Sequence, residues 1–233
     1  MAGRRVLAVM LPTVAVLLSA CGGSSSSTSP TAAATSTTSS TASPTTATTA
    51  TATTNGPAPP GPEGIPLEQG SELAPASTTT PGATVDGVQC APVEQLVYHI
   101  HSHLQVYDHG QPRVLPAGIG LIEPVAEQTP DGPFYGATHC YYWLHTHATD
   151  GIIHIESPSV RVYTLGNFFD EWRQPLSGTQ VAGVKGEVTA LLNGKPWTRD
   201  PRAIPLLPHA SIQLNVGSPQ VPPHVISFAA TNL

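Results

Sequence analysis

The sequence predicts a mostly β protein, a sandwich or small barrel built from two related β units with one short helix. Pro and Gly are frequent, with 25 and 21 of the 233 residues, which disfavours long helices. Only 10% of the residues are charged, which excludes a helical bundle held by surface ion pairs. Short apolar runs alternate with turn sequences such as DHGQP, TPDGP, ATDG and NGKP, as is typical of β hairpins.

The N-terminus has the features of an export signal. Residues 1–21 combine a short basic start with an apolar run over residues 6–18, as in a secretory signal peptide. The sequence LSAC at residues 18–21 resembles the lipobox of bacterial lipoproteins. The resemblance implies that Cys21 becomes the lipidated first residue, with acyl chains such as palmitate. We therefore expect a secreted, extracytoplasmic protein that its N-terminal lipid anchors to the cell membrane.

Residues 22–85 are rich in Ser, Thr, Pro and Ala, and no charged residue occurs between Arg5 and Glu63. Such a segment has little to bury, so the sequence predicts a disordered linker. The ordered β domain is expected over residues 86–233, a length sufficient for a hydrophobic core.

Two features organise this domain. Residues 104–121 and 188–206 both show a strand, a Gly-x-Pro turn and a second strand, which predicts two related β units. Residues 164–175 predict two turns of helix, with Thr164 or Asn167 as the cap and Pro175 at the end.

Cys90 and Cys140 form an even pair in an oxidising compartment, which favours a disulfide. The alternative is that Cys140 is a metal thiolate beside His139. Strand alternation disfavours that alternative, because it places Cys140 on the face opposite His145 and His147.

Histidine is the most informative residue type, with ten copies against nine Lys and Arg. Three segments place histidines on one face of a predicted strand: LVYHIHSHLQVY (96–107), YYWLHTH (141–147) and IIHIE (152–156). Side chains at i and i+2 of a strand lie about 6–7 Å apart, which suits two imidazoles that converge on one ion. The candidate metal ligands are His99, His101, His103, His145, His147, His154 and Glu156.

The remaining residues narrow the choice of metal. The methionines, Met1 and Met10, lie in the signal peptide, and the cysteines other than Cys21 are expected to be paired. A Cu(I) thioether site and a blue-copper site are therefore disfavoured, and Zn or Cu(II) is favoured.

Three functions are compatible with these residues. The first is a membrane-tethered lipoprotein that captures or handles a transition metal. The second is a metalloenzyme of unknown reaction, in which Glu156 or Asp150 moves protons. The third is a metal-free interaction module whose histidines sense acid. The excess of 15 Asp and Glu over 9 Lys and Arg disfavours a nucleic-acid partner.

Together, the segments HIHSHLQVYDHGQ, WLHTHATDGIIHIESP and YTLGNFFDEW resemble a family of small secreted bacterial His-rich proteins of unknown function. The segment WLHTHATDG is weakly similar to His-x-His motifs of multicopper oxidases and other cupredoxin-like proteins. HTH followed by HIE is partly similar to cupins. The full oxidase ligand set and the cupin glycine spacing are missing from the sequence, so neither similarity implies a reaction.

Overall fold

The computed structural model describes residues 58–76 and 82–233, and the fold is mostly β with one α-helix. This confirms the predicted fold class. No sheet formed by these residues closes into a barrel, and the arrangement is consistent with a β sandwich. No helix within the described ranges is long and apolar enough to cross a membrane. The signal peptide, Cys21 and most of the predicted linker lie outside the described residues.

The described residues form sixteen strands, many of them only two residues long. The first eight are β1 (Ser71–Glu72), β2 (Cys90–Ala91), β3 (Tyr98–Asp108), β4 (Gln111–Val114), β5 (Leu121–Thr129), β6 (Gly132–Tyr142), β7 (Leu144–His145) and β8 (Ile152–Ser157). After β9 (Tyr163–Thr164) and α1 (Leu165–Glu171) come β10 (Leu176–Ser177), β11 (Gln180–Val181), β12 (Val184–Lys185), β13 (Val188–Leu192), β14 (Lys195–Trp197), a 3-10 turn (Pro201–Ala203), β15 (Pro205–Leu206) and β16 (Ala210–Val216).

The largest sheet has eight strands, with β3 at its centre. One edge of β3 pairs in parallel with β16. The other edge pairs with β8 over residues 98–103 and with β4 over residues 106–108. Strand β7 extends the sheet beyond β8. This change of partner along β3 places β8 between the first half of β3 and β7.

The predicted turns are present where the sequence indicated them. Antiparallel pairs β3–β4, β5–β6 and β13–β14 flank the DHGQP, TPDGP and NGKP turns, and β7 and β8 flank ATDG. The two hairpins of the predicted repeat, β3–β4 and β13–β14, belong to the same sheet. A three-stranded sheet of β2, β6 and β5 shares a hydrophobic core with it.

Helix α1 begins at the predicted cap. The Thr164 side chain accepts the Asn167 backbone N–H, and the Asn167 side chain bonds back to the Thr164 backbone, as in a capping box. The helix buries Phe168 and Phe169 in the main core, and the residue that follows it, Trp172, is buried there too.

The predicted disulfide is present. Cys90 and Cys140 are bonded, with their Cα atoms 5.6 Å apart and 50 residues between them in sequence. In the chain-entropy model, closing a loop of this length stabilises the fold by about 4 kcal/mol. The bond joins β2 to β6, which excludes Cys140 as a metal thiolate.

The ordered domain begins earlier than the predicted boundary at residue 86. Strand β1 pairs in parallel with β4, and Ile65 and Leu73 are each only 3% exposed. Glu68 Oε2 accepts the Leu115 backbone N–H at 2.6 Å. The prolines in this stretch restrict the backbone to extended conformations, which lets a segment without periodicity lie along the sheet and bury its few apolar and acidic side chains.

Candidate metal centre

Three adjacent strands carry the histidine cluster. In β3 and β8, His101 pairs with His154 and His99 pairs with Glu156. Across the other edge of β8, His154 pairs with His145 of β7. Directly paired residues project to the same face of a sheet, so one row of three imidazoles crosses the three strands. His147 joins them from the chain just after β7.

The imidazoles meet through their Nε2 atoms. His99 Nε2 lies 3.0 Å from His101 Nε2, and His145 Nε2 lies 3.0 Å from His147 Nε2. The ring of His154 lies between these pairs, with its centroid 4.5 Å from that of His101 and 4.4 Å from that of His147. The predicted convergence of the three segments is therefore present.

Backbone carbonyls fix the tautomers of one pair. His145 Nδ1–H donates to the Tyr142 carbonyl at 2.8 Å, and His147 Nδ1–H donates to the Tyr135 carbonyl. A carbonyl only accepts, so in neutral His145 and His147 each Nε2 carries a lone pair and no hydrogen. Two lone pairs facing each other at 3.0 Å repel. A cation bound between them would convert this repulsion into coordination.

His154 lies between two carboxylates. Its Nε2 is 2.6 Å from Glu63 Oε1, and its Nδ1 is 3.2 Å from Glu156 Oε1. Burial alone would lower the pKa of His154, but the hydrogen bonds with Glu156 and Glu63 raise it to about 9. In a metal-bound state, Nδ1 would be the ligand atom and Glu63 would accept Nε2–H, the arrangement that typically orients a ligating histidine.

Burial favours the neutral form of His101, His145 and His147. Burial, followed by the charge of His154, lowers the pKa of His101 to about 3 and that of His147 to about 4. Burial and the neighbouring histidines also lower the pKa of His145 well below its usual value. The neutral imidazole is the form that binds metals. These shifts disfavour the acid-sensing alternative for these three residues.

The donor atoms form two overlapping sets. One comprises His99, His101, His154 and Glu156, and the other comprises His145, His147, His154 and Glu156. Within each set the ligand atoms lie within 4.8 Å of one another. All these residues are buried except His99. The cluster could therefore hold a metal ion, and it unites six of the seven candidate ligands.

His103 is the candidate that the structure places elsewhere. It pairs with Ile152 of β8 and belongs to neither donor set. His103 lies two residues after His101 on β3, roughly 7 Å farther along the same face. At that position the paired residue of β8 is apolar. Burial, with His224 nearby, lowers its pKa to about 4.

Asp150, the alternative proton carrier, is also outside both sets. Its Oδ1 accepts the Ile152 backbone N–H at 3.1 Å. Burial and the neighbouring Glu63 carboxylate raise the pKa of Asp150 well above its usual value. The hydrogen bond to Ile152 fixes Asp150 to the turn before β8, outside both donor sets.

Two carboxylates beside the cluster were not among the predicted site residues. Glu63 Oε1 bonds to His154, and Glu94 Oε1 lies 3.5 Å from His147 Nε2. Glu63 was assigned to the linker, although it is the first charged residue after a long uncharged stretch. That isolated acidic residue within a Pro/Gly-rich segment was the available signal.

The cluster forms one wall of a cleft of about 510 Å³. The same cleft is lined by residues 60–64, by Phe134 and by residues 230–233. The Phe134 ring stacks on His147 with centroids 4.4 Å apart. The cleft gives the cluster a route from solvent that passes residues 60–64 and 230–233.

No protein-family model matches this chain, and no curated protein or solved structure matches it significantly. The function is therefore argued from the chemistry of the site.

Proposed function

We propose that this protein is an extracytoplasmic lipoprotein that binds a transition metal, Zn(II) or Cu(II), at the histidine cluster and serves in metal capture or handling. The observation that carries the metal proposal is the His145–His147 pair. Its carbonyl-fixed tautomers direct two unprotonated nitrogens at each other, 3.0 Å apart, in a buried site. A cation resolves that repulsion.

The chemistry of the donors supports Zn(II) or Cu(II). The two donor sets together consist of five imidazoles and one carboxylate, and imidazole nitrogen is a suitable ligand for both ions. The cysteines of the described chain are joined in a disulfide, so no thiolate contributes. Mg(II) and Ca(II) require sites dominated by oxygen ligands and fit this set poorly.

The metal proposal is tested on the purified full chain, stripped with a chelator and then titrated with Zn(II) or Cu(II). We expect tight binding in the wild type and its loss in the variant His99→Ala/His101→Ala/His145→Ala/His147→Ala. The matched control is His109→Ala/His139→Ala, which removes two exposed histidines and should bind as the wild type does. Equal affinity in the cluster variant, or no binding by the wild type, would contradict the proposal.

The anchor is proposed from the lipobox resemblance and is tested separately. In a bacterial host that processes lipoproteins, the wild type should fractionate with membranes and partition into detergent. Cys21→Ala should remove the lipid and release the exported protein. A Cys21→Ala protein that stays lipid-modified would refute this anchor.

A second candidate is a metalloenzyme, and the cleft is the observation that favours it. Catalytic sites leave a coordination position open to water or substrate, whereas structural sites are closed. Glu156 lines the cleft, whereas Asp150 does not, so Glu156 is the better candidate to move protons. Azide added to the Cu(II)-loaded chain distinguishes the two candidates. A shifted visible spectrum indicates an exchangeable position, and an unchanged spectrum indicates a closed binding site.

A further inference from the structure

We propose that the cluster holds two metal ions, one at the His99–His101 pair and one at the His145–His147 pair, with the Glu156 carboxylate bridging them. This inference rests on the metal binding proposed above. It concerns how many ions bind and which side chain joins them.

Each histidine pair is spaced for one ion. The Nε2–Nε2 distance is 3.0 Å within the His99–His101 pair and within the His145–His147 pair. Two tetrahedral ligands with bonds of 2.0–2.1 Å lie roughly 3.3–3.4 Å apart. Each pair therefore needs an adjustment of only a few tenths of an ångström to form one edge of a coordination tetrahedron.

The strand order separates the two pairs. His99 and His101 belong to β3, His145 belongs to β7, and β8 lies between these strands. Neighbouring strands are about 4.8 Å apart, so the backbones that carry the pairs are roughly 10 Å apart. Two ligands of one ion lie at most roughly 4.2 Å apart. The two pairs also fall in different donor sets. The ring nitrogens of all four histidines therefore do not lie close enough together for one ion in this arrangement.

Glu156 is placed to join both ions. Its Oε1 lies 3.1 Å from His99 Nε2 and 3.7 Å from His145 Nε2, so it reaches one nitrogen of each pair. Its Oε2 is buried and has no hydrogen-bond partner. A buried carboxylate oxygen without a hydrogen-bond partner is disfavoured. Two ions, each bound by one oxygen, would satisfy both atoms.

His154 completes one coordination sphere only. Its Nδ1 is turned to Glu156, whereas its Nε2 is held by Glu63 at 2.6 Å. Glu156 is thus the shared side chain that can bind two ions at once. Glu63 and Glu94 add negative charge around the site, which offsets part of the charge of a second divalent ion.

The experiment counts ions bound to the full chain. Stripped protein is incubated with excess Zn(II), desalted and measured by elemental analysis against protein concentration. We expect two equivalents in the wild type and in the control His109→Ala/His139→Ala. One equivalent is expected in His99→Ala/His101→Ala and in His145→Ala/His147→Ala.

A wild type with one equivalent overturns the two-ion proposal but keeps the metal site, and a wild type with none overturns both. Two equivalents retained in either pair variant would place an ion elsewhere and overturn this proposal.

A spectroscopic measurement on the wild type removes the dependence on variants that fail to fold. Two Cu(II) ions bridged by one carboxylate couple magnetically, so the electron paramagnetic resonance signal per copper should be weaker in the fully loaded chain than at half loading. A signal that grows in proportion to copper through two equivalents would indicate isolated ions and would contradict the bridge.

Discussion

Two buried polar clusters lie on the same face of the eight-stranded sheet, and they use their polar atoms differently. The first is the histidine cluster on β3, β7 and β8. The second, on β16, consists of Gln213 and Asn215, each 2% exposed. The Gln213 amide donates to the carbonyls of Val221 and Pro222, and its oxygen accepts the His224 backbone N–H at 2.8 Å.

The difference shows what each cluster does. In the Gln213–Asn215 cluster, donors are hydrogen-bonded to acceptors, and the Asn215 side-chain oxygen also accepts the Val221 backbone N–H. Such a network fixes residues 221–224 against the sheet and leaves nothing for a ligand. In the histidine cluster, the partnered nitrogens of His145 and His147 point outwards and the unprotonated ones converge. The Gln213–Asn215 cluster is complete within the protein, whereas the histidine cluster could be completed by an ion.

The largest expected effect is stabilisation by bound metal. At a free ion concentration a thousand times the Kd, the free energy of unfolding should rise by about 4 kcal/mol. Denaturant unfolding of the full chain with and without Zn(II) measures this increment. It should persist in Gln213→Ala and disappear in the variant that lacks all four paired histidines. The same rise in that variant would argue that zinc acts elsewhere.

The next effect belongs to the second cluster. Gln213→Ala leaves the His224 N–H and two carbonyls without their partner, which should lower the free energy of unfolding by about 1–3 kcal/mol. Metal stoichiometry should not change. The control is Gln128→Ala, an exposed residue of β5, for which a change within about 0.5 kcal/mol is expected. A loss of metal in Gln213→Ala would show that the clusters are coupled.

A smaller effect, on metal affinity, is expected for Glu63→Gln. The substitution keeps the shape of the side chain but removes the charge that orients His154, so the metal affinity should fall about 10–100-fold. Competition with a chromophoric chelator measures this affinity. Exposed Glu72→Gln, from the same N-terminal segment, should leave it unchanged. An unchanged metal affinity in Glu63→Gln would mean that His154 is not a ligand of the ion.

The fourth prediction concerns Glu171 of α1, a buried carboxyl whose two oxygens have no hydrogen-bond partner. Burial raises its pKa well above the usual 4.5. The folded state favours the neutral form of Glu171. The contribution of this group to the free energy of unfolding is therefore fully present below pH 4.5 and is lost as the pH rises through the raised pKa. Glu171→Gln should differ little from the wild type in acid and become relatively more stable as the pH rises. Equal pH profiles in urea unfolding would contradict this.

Much of the fold follows from local sequence signals. Turn residues indicated the hairpins, and Thr164 with Asn167 indicated the start of α1. The alternation of His99 and His101 with apolar residues indicated their shared face, which strand pairing at fixed register then combined with His154. These features depend on the period of a strand and on short motifs, both visible in sequence.

The parts that were missed depend on contacts between distant residues. His103 has the same period as His101, but its partner across the strand is Ile152, a pairing that alternation alone does not specify. Residues 58–76 lie against the sheet through contacts such as Glu63 with His154 and Glu68 with Leu115. A Pro/Gly-rich composition does not show what such a segment packs against. Glu63 was missed for the same reason.

The contact between Glu63 and His154 joins residues 91 positions apart in the chain. Contacts of such separation form slowly because a long loop must close before they contribute. His145 and His147 are adjacent from the outset, since only one residue lies between them. In a folding chain, the His145–His147 pair would therefore form before His154 is oriented by Glu63. For the proposed metal site, occupancy would then report completed folding, and an N-terminal truncation that removes Glu63 would delay it.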